Sequence, residues 1–113
     1  MTLHTLPVAS KFERFRDLHD GYFVIPTIWD RFSALAAEDA AFEAIATSSA
    51  ALGYANGILS SERAPFDQVV DWLKTIVDAV HIPVSIDMED GYPEVTGNVA
   101  DSIRRSSNTS ATA

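Results

Sequence analysis

The residues best suited to chemistry lie in the run Val84-Ser-Ile-Asp-Met-Glu-Asp-Gly-Tyr92. Asp87, Glu89 and Asp90 are clustered at the end of an apolar stretch. Ionised carboxylates this close repel one another, and a bound cation or a retained proton relieves the repulsion. Val84 and Ile86 are β-formers on alternate positions, which predicts a strand entered from Pro83. On a strand, residues two apart leave the same face, so Asp87 and Glu89 are expected side by side. Asp90 and Gly91 then end the strand in a turn. In a barrel of parallel strands, chemistry sits at the strand exits. Asp87 and Glu89 are therefore the first candidates for a site that holds a cation or a proton, the alternative being solvated charges that close a strand.

Two further groups fall at the exits of earlier apolar runs. Tyr22-Phe-Val-Ile-Pro-Thr-Ile reads as a buried strand, followed by Trp29 and Asp30. Asp30 is also well placed to cap a helix from about Arg31 to Ala41, with Phe32, Leu35 and Ala36 on one face. Phe42-Glu-Ala-Ile-Ala-Thr reads as a second short strand that opens into Ser48-Ser49-Ala50. Hydroxyls at such a position either bond locally in a turn or face a ligand.

The elements that must position these groups follow from pattern. Ser10, with Glu13 three residues later, has the form of a capping box, and Phe12, Phe15, Leu18 and His19 recur at helical spacing up to Asp20-Gly21. Gly53-Tyr-Ala-Asn-Gly57 is a loop by composition. Phe66, Val69, Val70, Leu73, Ile76, Val77 and Val80 form the apolar stripe of an amphipathic helix, with Asp67, Asp71, Lys74 and Asp78 opposite. His81 lies between that helix and the third strand, and Val95 to Arg105 has weak helical character. The order is a helix followed by three strand–helix units. Helix-sized crossovers imply parallel pairing, so the class is α/β.

Composition narrows the function. A net charge of -8 offers no basic stripe for phosphates, which argues against nucleic acid and anionic membranes as partners. No apolar run approaches the roughly 20 residues that span a bilayer. The absence of cysteine removes disulfides, thiolate metal sites and Cys nucleophiles, and suits a reducing cytoplasm.

Four segments together resemble the isocitrate lyase / phosphoenolpyruvate mutase superfamily: Phe23-Val-Ile-Pro-Thr-Ile-Trp-Asp30, Ala44-Ile-Ala-Thr-Ser-Ser49, Leu52-Gly-Tyr54 and Pro83-Val-Ser-Ile-Asp-Met-Glu-Asp-Gly-Tyr92. The resemblance covers roughly residues 12–105. It implies the N-terminal portion of a (β/α)8 TIM-type barrel, about three β/α units preceded by a helix. It implies Mg2+, a small carboxylate or keto-acid substrate handled through an enolate, and cleavage or formation of C–C or C–P bonds in a homo-oligomer. By the same resemblance, Asp87 and Glu89 match the pair that holds the metal, directly or through water. Ser48 and Ser49 match the residues that hold the substrate carboxylate, and Trp29 and Asp30 match the end of the first strand. The chain departs from the family at Thr27, where Asn is common, and at Asn56, where Asp is common.

The run Ser106-Ser-Asn-Thr-Ser-Ala-Thr-Ala113 carries no charge and no large apolar residue, and reads as a disordered tail after a partial barrel domain at 1–105. Its abrupt onset leads to the expectation of a truncated or frameshifted copy. Two functional expectations follow: a Mg2+-dependent lyase or mutase, or a catalytically inactive fragment that associates.

Overall fold

The computed structural model describes residues 8–58 and 64–96. Helix α1 spans Val8–Leu18, strand β1 Thr27–Ile28, helix α2 Arg31–Asp39 and strand β2 Ile45–Thr47. Helix α3 (Ser49–Ala55), helix α4 (Phe66–Val77), strand β3 (Val84–Ser85) and helix α5 (Pro93–Thr96) follow. The strands form one parallel sheet in the order β1-β2-β3. Thr27 is level with Ala46, and Ala46 with Ser85, so the three strand exits point the same way at nearly one height.

Helix α4 forms where its sequence predicts but ends at Val77, so Asp78 is its C-cap and Val80, though buried, lies beyond it. Phe66, Val69, Leu73, Ile76 and Val77 are buried along one stripe. They share a core with Ile45 and Val84 from the sheet, Ile86 just beyond β3, and Ala34 and Ala37 from α2. Each fully buried aliphatic side chain contributes about 1.5–3 kcal/mol of transfer free energy. Pro65 enters the helix with φ -59, and its carbonyl accepts the Val69 N–H at 3.0 Å.

The opposite end of the sheet is tied by charge. Lys11 of α1 is 7% exposed, and its Nζ donates to the Val80 carbonyl at 3.2 Å. Glu38 Oε2 accepts the His81 N–H at 2.6 Å. Both bonds fasten the chain that leaves α4 and enters β3. Burial pushes the Lys11 amine below its ordinary value of 10.5, against the opposing pull of Glu38 and Asp78.

Several elements differ from the sequence expectation. Helix α1 begins at Val8, so Ser10 lies inside the first turn and cannot be its cap. Only Thr27–Ile28 of the first apolar run pairs as a strand. Tyr22 and Val24 are exposed, while Phe23 packs edge-on against Phe15 and His19 at 6.2 and 5.1 Å between ring centroids. β2 and β3 are likewise shorter than the apolar runs containing them. Segment 53–57 is mostly the end of α3 rather than a loop, because Ser48 starts a helix that runs through Gly53 and Tyr54. On α2 the buried face is Ala34 and Ala37, while Phe32, Leu35 and Ala36 are exposed. The small residues fit against α4, and the large ones line an open depression with Glu38 and Asp39. The expected helix from Val95 is described only as α5, and residues 97–113, including the expected tail, lie outside the described residues.

Candidate functional site

The strand exits are joined by two hydrogen bonds. The Ser48 N–H donates to the Ile28 carbonyl at 3.3 Å, linking the exits of β1 and β2. The Asp87 N–H donates to Thr47 Oγ1 at 3.0 Å, linking those of β2 and β3. Trp29 and Asp30, Ser48 and Ser49, and Asp87 each follow immediately on one of these ties or lie in it. Thr47 is 6% exposed, so its hydroxyl is a fixed acceptor. Sequence reasoning included Thr47 in a motif without assigning it a role; a Thr closing an apolar strand was the available signal.

Asp30 is the N-cap of α2. Its Oδ1 accepts the Ser33 N–H at 2.7 Å, and Ser33 Oγ accepts the Asp30 N–H at 3.1 Å, completing a capping box. The Trp29 N–H also donates to Ser33 Oγ at 3.1 Å, and the Trp29 side chain is exposed. Ser48 is the N-cap of α3, its Oγ accepting the Ala51 N–H at 3.2 Å. Ser49 is the first residue of that helix. Asn56 caps its other end, with Nδ2 donating to the Leu52 carbonyl at 2.8 Å.

The acidic pair is arranged differently from the strand expectation. β3 ends at Ser85, before Asp87 is reached. Glu89 has φ 52, a left-handed conformation, so pleat alternation does not carry Asp87 and Glu89 onto one face. Instead Asp87 Oδ1 accepts the Glu89 N–H at 2.9 Å. The Gly91 N–H donates to the Met88 carbonyl at 2.8 Å, and Asp90 Oδ1 accepts the Tyr92 N–H at 3.0 Å. The strand therefore exits into a tight, self-bonded acidic loop.

Among the described residues, no three His, Asp or Glu side chains stand together as a ready ligand set. Mg2+ does not require one, because it is commonly held by one or two carboxylates and otherwise by water and substrate. The hard oxygen donors of Asp87 and Glu89 fit that mode.

The parallel sheet with helical crossovers defines an α/β unit whose strand exits carry acidic and hydroxyl-bearing residues. The sequence profile of phosphoenolpyruvate phosphomutase matches residues 15–113. The chain belongs to that family, within the phosphoenolpyruvate mutase / isocitrate lyase superfamily. No curated protein matches it. A Burkholderia cenocepacia J2315 protein designated a candidate lyase/mutase is 36% identical, with a TM-score of 0.82 over 92% of this chain and 37% of its own. A candidate phosphonomutase from the same organism is 35% identical, with a TM-score of 0.82 over 89% of this chain and 41% of its own. An oxaloacetate acetylhydrolase bound to its product oxalate shares the fold at 21% identity and a TM-score of 0.78, over 95% of this chain and 38% of its own. The chain thus spans about two fifths of the length of these proteins or less.

Proposed function

We propose that this chain carries the metal- and carboxylate-binding strand exits of a Mg2+-dependent lyase or mutase acting on an α-keto or 2-hydroxy carboxylate. The observation that supports this most is the Thr47–Asp87 hydrogen bond, which fixes an exposed carboxylate-bearing residue beside the Ser48–Ser49 segment. Asp87 would hold the metal, with Glu89 aiding directly or through water. Bound there, Mg2+ would polarise the keto and carboxylate oxygens of a substrate and stabilise an enolate. Ser48 accepts through its Oγ as a helix cap and keeps its hydroxyl hydrogen to donate to a carboxylate. Ser49 and Asp30 border the same exits. The relatives named as lyase/mutase and phosphonomutase support the reaction class, and the oxaloacetate acetylhydrolase with its product oxalate supports a small carboxylate as substrate.

The experiment is Mg2+-dependent turnover of oxaloacetate and of methylisocitrate-like acids by the chain and by Asp87→Ala. Turnover that needs Mg2+ and is abolished by the substitution supports the proposal. No Mg2+-dependent turnover favours the second reading, a non-catalytic unit that associates with other chains. One observation supports that reading: among the described residues β1 and β3 are the sheet edges, and Tyr22, Val24 and Phe32, which flank β1 in the chain, are exposed.

A further inference from the structure

Segment 87–92 is held in an unusual backbone shape. Glu89 and Tyr92 both have φ 52, and Gly91 has φ 86. Side chains beyond glycine are disfavoured in this region, and such residues persist only where surrounding structure over-determines them. The two side-chain hydrogen bonds within the loop are accepted by the exposed carboxylates of Asp87 and Asp90, and water competes for such groups. They do not by themselves explain why the strained form is kept.

Tyr92 supplies the missing constraint. It is 3% exposed and belongs to the main core. Its ring meets Phe66, the first residue of α4, edge-on at 5.2 Å between centroids. Met88, on the other side of the loop tip, is half-buried and packs against the same core. The exposed pair Glu89 and Asp90 is thus stretched between two apolar anchors, and only the Tyr92 anchor itself has left-handed backbone.

We infer that Tyr92 is a positioning residue for the acidic loop: its ring, seated against Phe66, holds residues 87–92 in the left-handed shape that presents Asp87 and Glu89 at the exit of β3. The importance of this for metal binding rests on the reading of Asp87 and Glu89 proposed above; the geometric claim does not. Released from its seat, Tyr92 would let the loop relax toward ordinary extended or helical backbone. The bonds from Glu89 to Asp87 and from Gly91 to Met88 would then open, while the Thr47–Asp87 bond nearer the sheet would persist.

Two measurements on the full chain test this, using Tyr92→Leu, Tyr92→Phe and, should Tyr92→Leu fail to fold, Phe66→Leu. The first is amide hydrogen exchange by NMR. Tyr92→Leu should speed exchange at Glu89 and Gly91 by about tenfold while leaving Ile45 and Ala46 in β2 unchanged, and Tyr92→Phe, which keeps the ring, should change exchange there far less. Unaltered exchange at Glu89 and Gly91 in the leucine variants overturns the inference. The second is Mn2+ binding followed by electron paramagnetic resonance, with Asp87→Asn and the distant core truncation Val77→Ala as controls. Weakening of about tenfold in Tyr92→Leu, absent in Tyr92→Phe and Val77→Ala, supports the positioning role at the metal. Equal Mn2+ affinity in wild type and Asp87→Asn overturns the metal reading, and the exchange result then still decides the role of Tyr92.

Discussion

Thr47 Oγ1 accepts the backbone N–H of Asp87 at 3.0 Å, so a buried hydroxyl at the end of β2 fixes where the acidic loop after β3 begins. Parallel pairing alone does not do this, because the ladder between β2 and β3 runs only from Ile45–Val84 to Ala46–Ser85. The side-chain bond extends the coupling two residues beyond the last pair. Replacing Thr47 by Val keeps the shape and removes the acceptor. It is expected to cost about 1 kcal/mol and to accelerate exchange of the Asp87 amide, with Thr47→Ser intermediate. Urea denaturation and NMR exchange read both effects; an unchanged Asp87 amide in Thr47→Val would show the bond to be dispensable.

Ala41 ends α2 in a left-handed conformation, φ 68. Its N–H donates to the Glu38 carbonyl at 3.0 Å, and the Phe42 N–H to the Ala37 carbonyl at 3.2 Å. This is the Schellman arrangement, which favours glycine at the left-handed position. Ala41→Gly is therefore expected to stabilise the protein by roughly 0.5–1 kcal/mol, after allowing for the greater freedom of glycine in the unfolded chain. A higher midpoint in a thermal melt checks it; a lower one would mean the turn does not carry this strain.

The same residue shows why some boundaries were hidden in the sequence. Nothing in Ala40-Ala-Phe42 punctuates a helix, so periodicity carries α2 too far. Helix α4 was legible because its apolar stripe is unbroken and Phe66, Val69, Leu73, Ile76 and Val77 are all used in packing. Asp30 was legible as a cap because an acidic residue immediately before a helical run is a local signal, and its bond to Ser33 is local. The first strand was overcalled for a tertiary reason: Tyr22 to Pro26 has β-forming composition, but the described residues pair only Thr27 and Ile28 with β2. The place of Asp87 and Glu89 just after the third strand was legible, and their backbone geometry was not. Left-handed backbone at Glu89 and Tyr92 has no sequence signature in residues other than glycine, and it depends on a ring contact with Phe66, distant in sequence.

Lys11 gives the protein an alkaline signature. Desolvation holds its amine below 10.5 in the folded state, opposed by Glu38 and Asp78 and assisted by Arg14. Between the folded and unfolded values the unfolded chain binds more protons, so the contribution of Lys11 to stability rises with pH through that window. Below the window the cost of burying the charge is present in full. Lys11→Met should remove this rise. Urea unfolding of both proteins from neutral pH to just below 10.5 measures it, and parallel stability curves would contradict it.

On the proposed function, Asp87 anchors a divalent cation at the joined strand exits. The most direct measurement is a circular-dichroism thermal melt of the chain with and without millimolar Mg2+, for wild type and Asp87→Asn. A ligand that binds the folded state raises the midpoint by mass action. The account predicts a cooperative melt that shifts upward with Mg2+ in wild type and does not shift in Asp87→Asn. An equal shift in both proteins, or none in wild type, would contradict it.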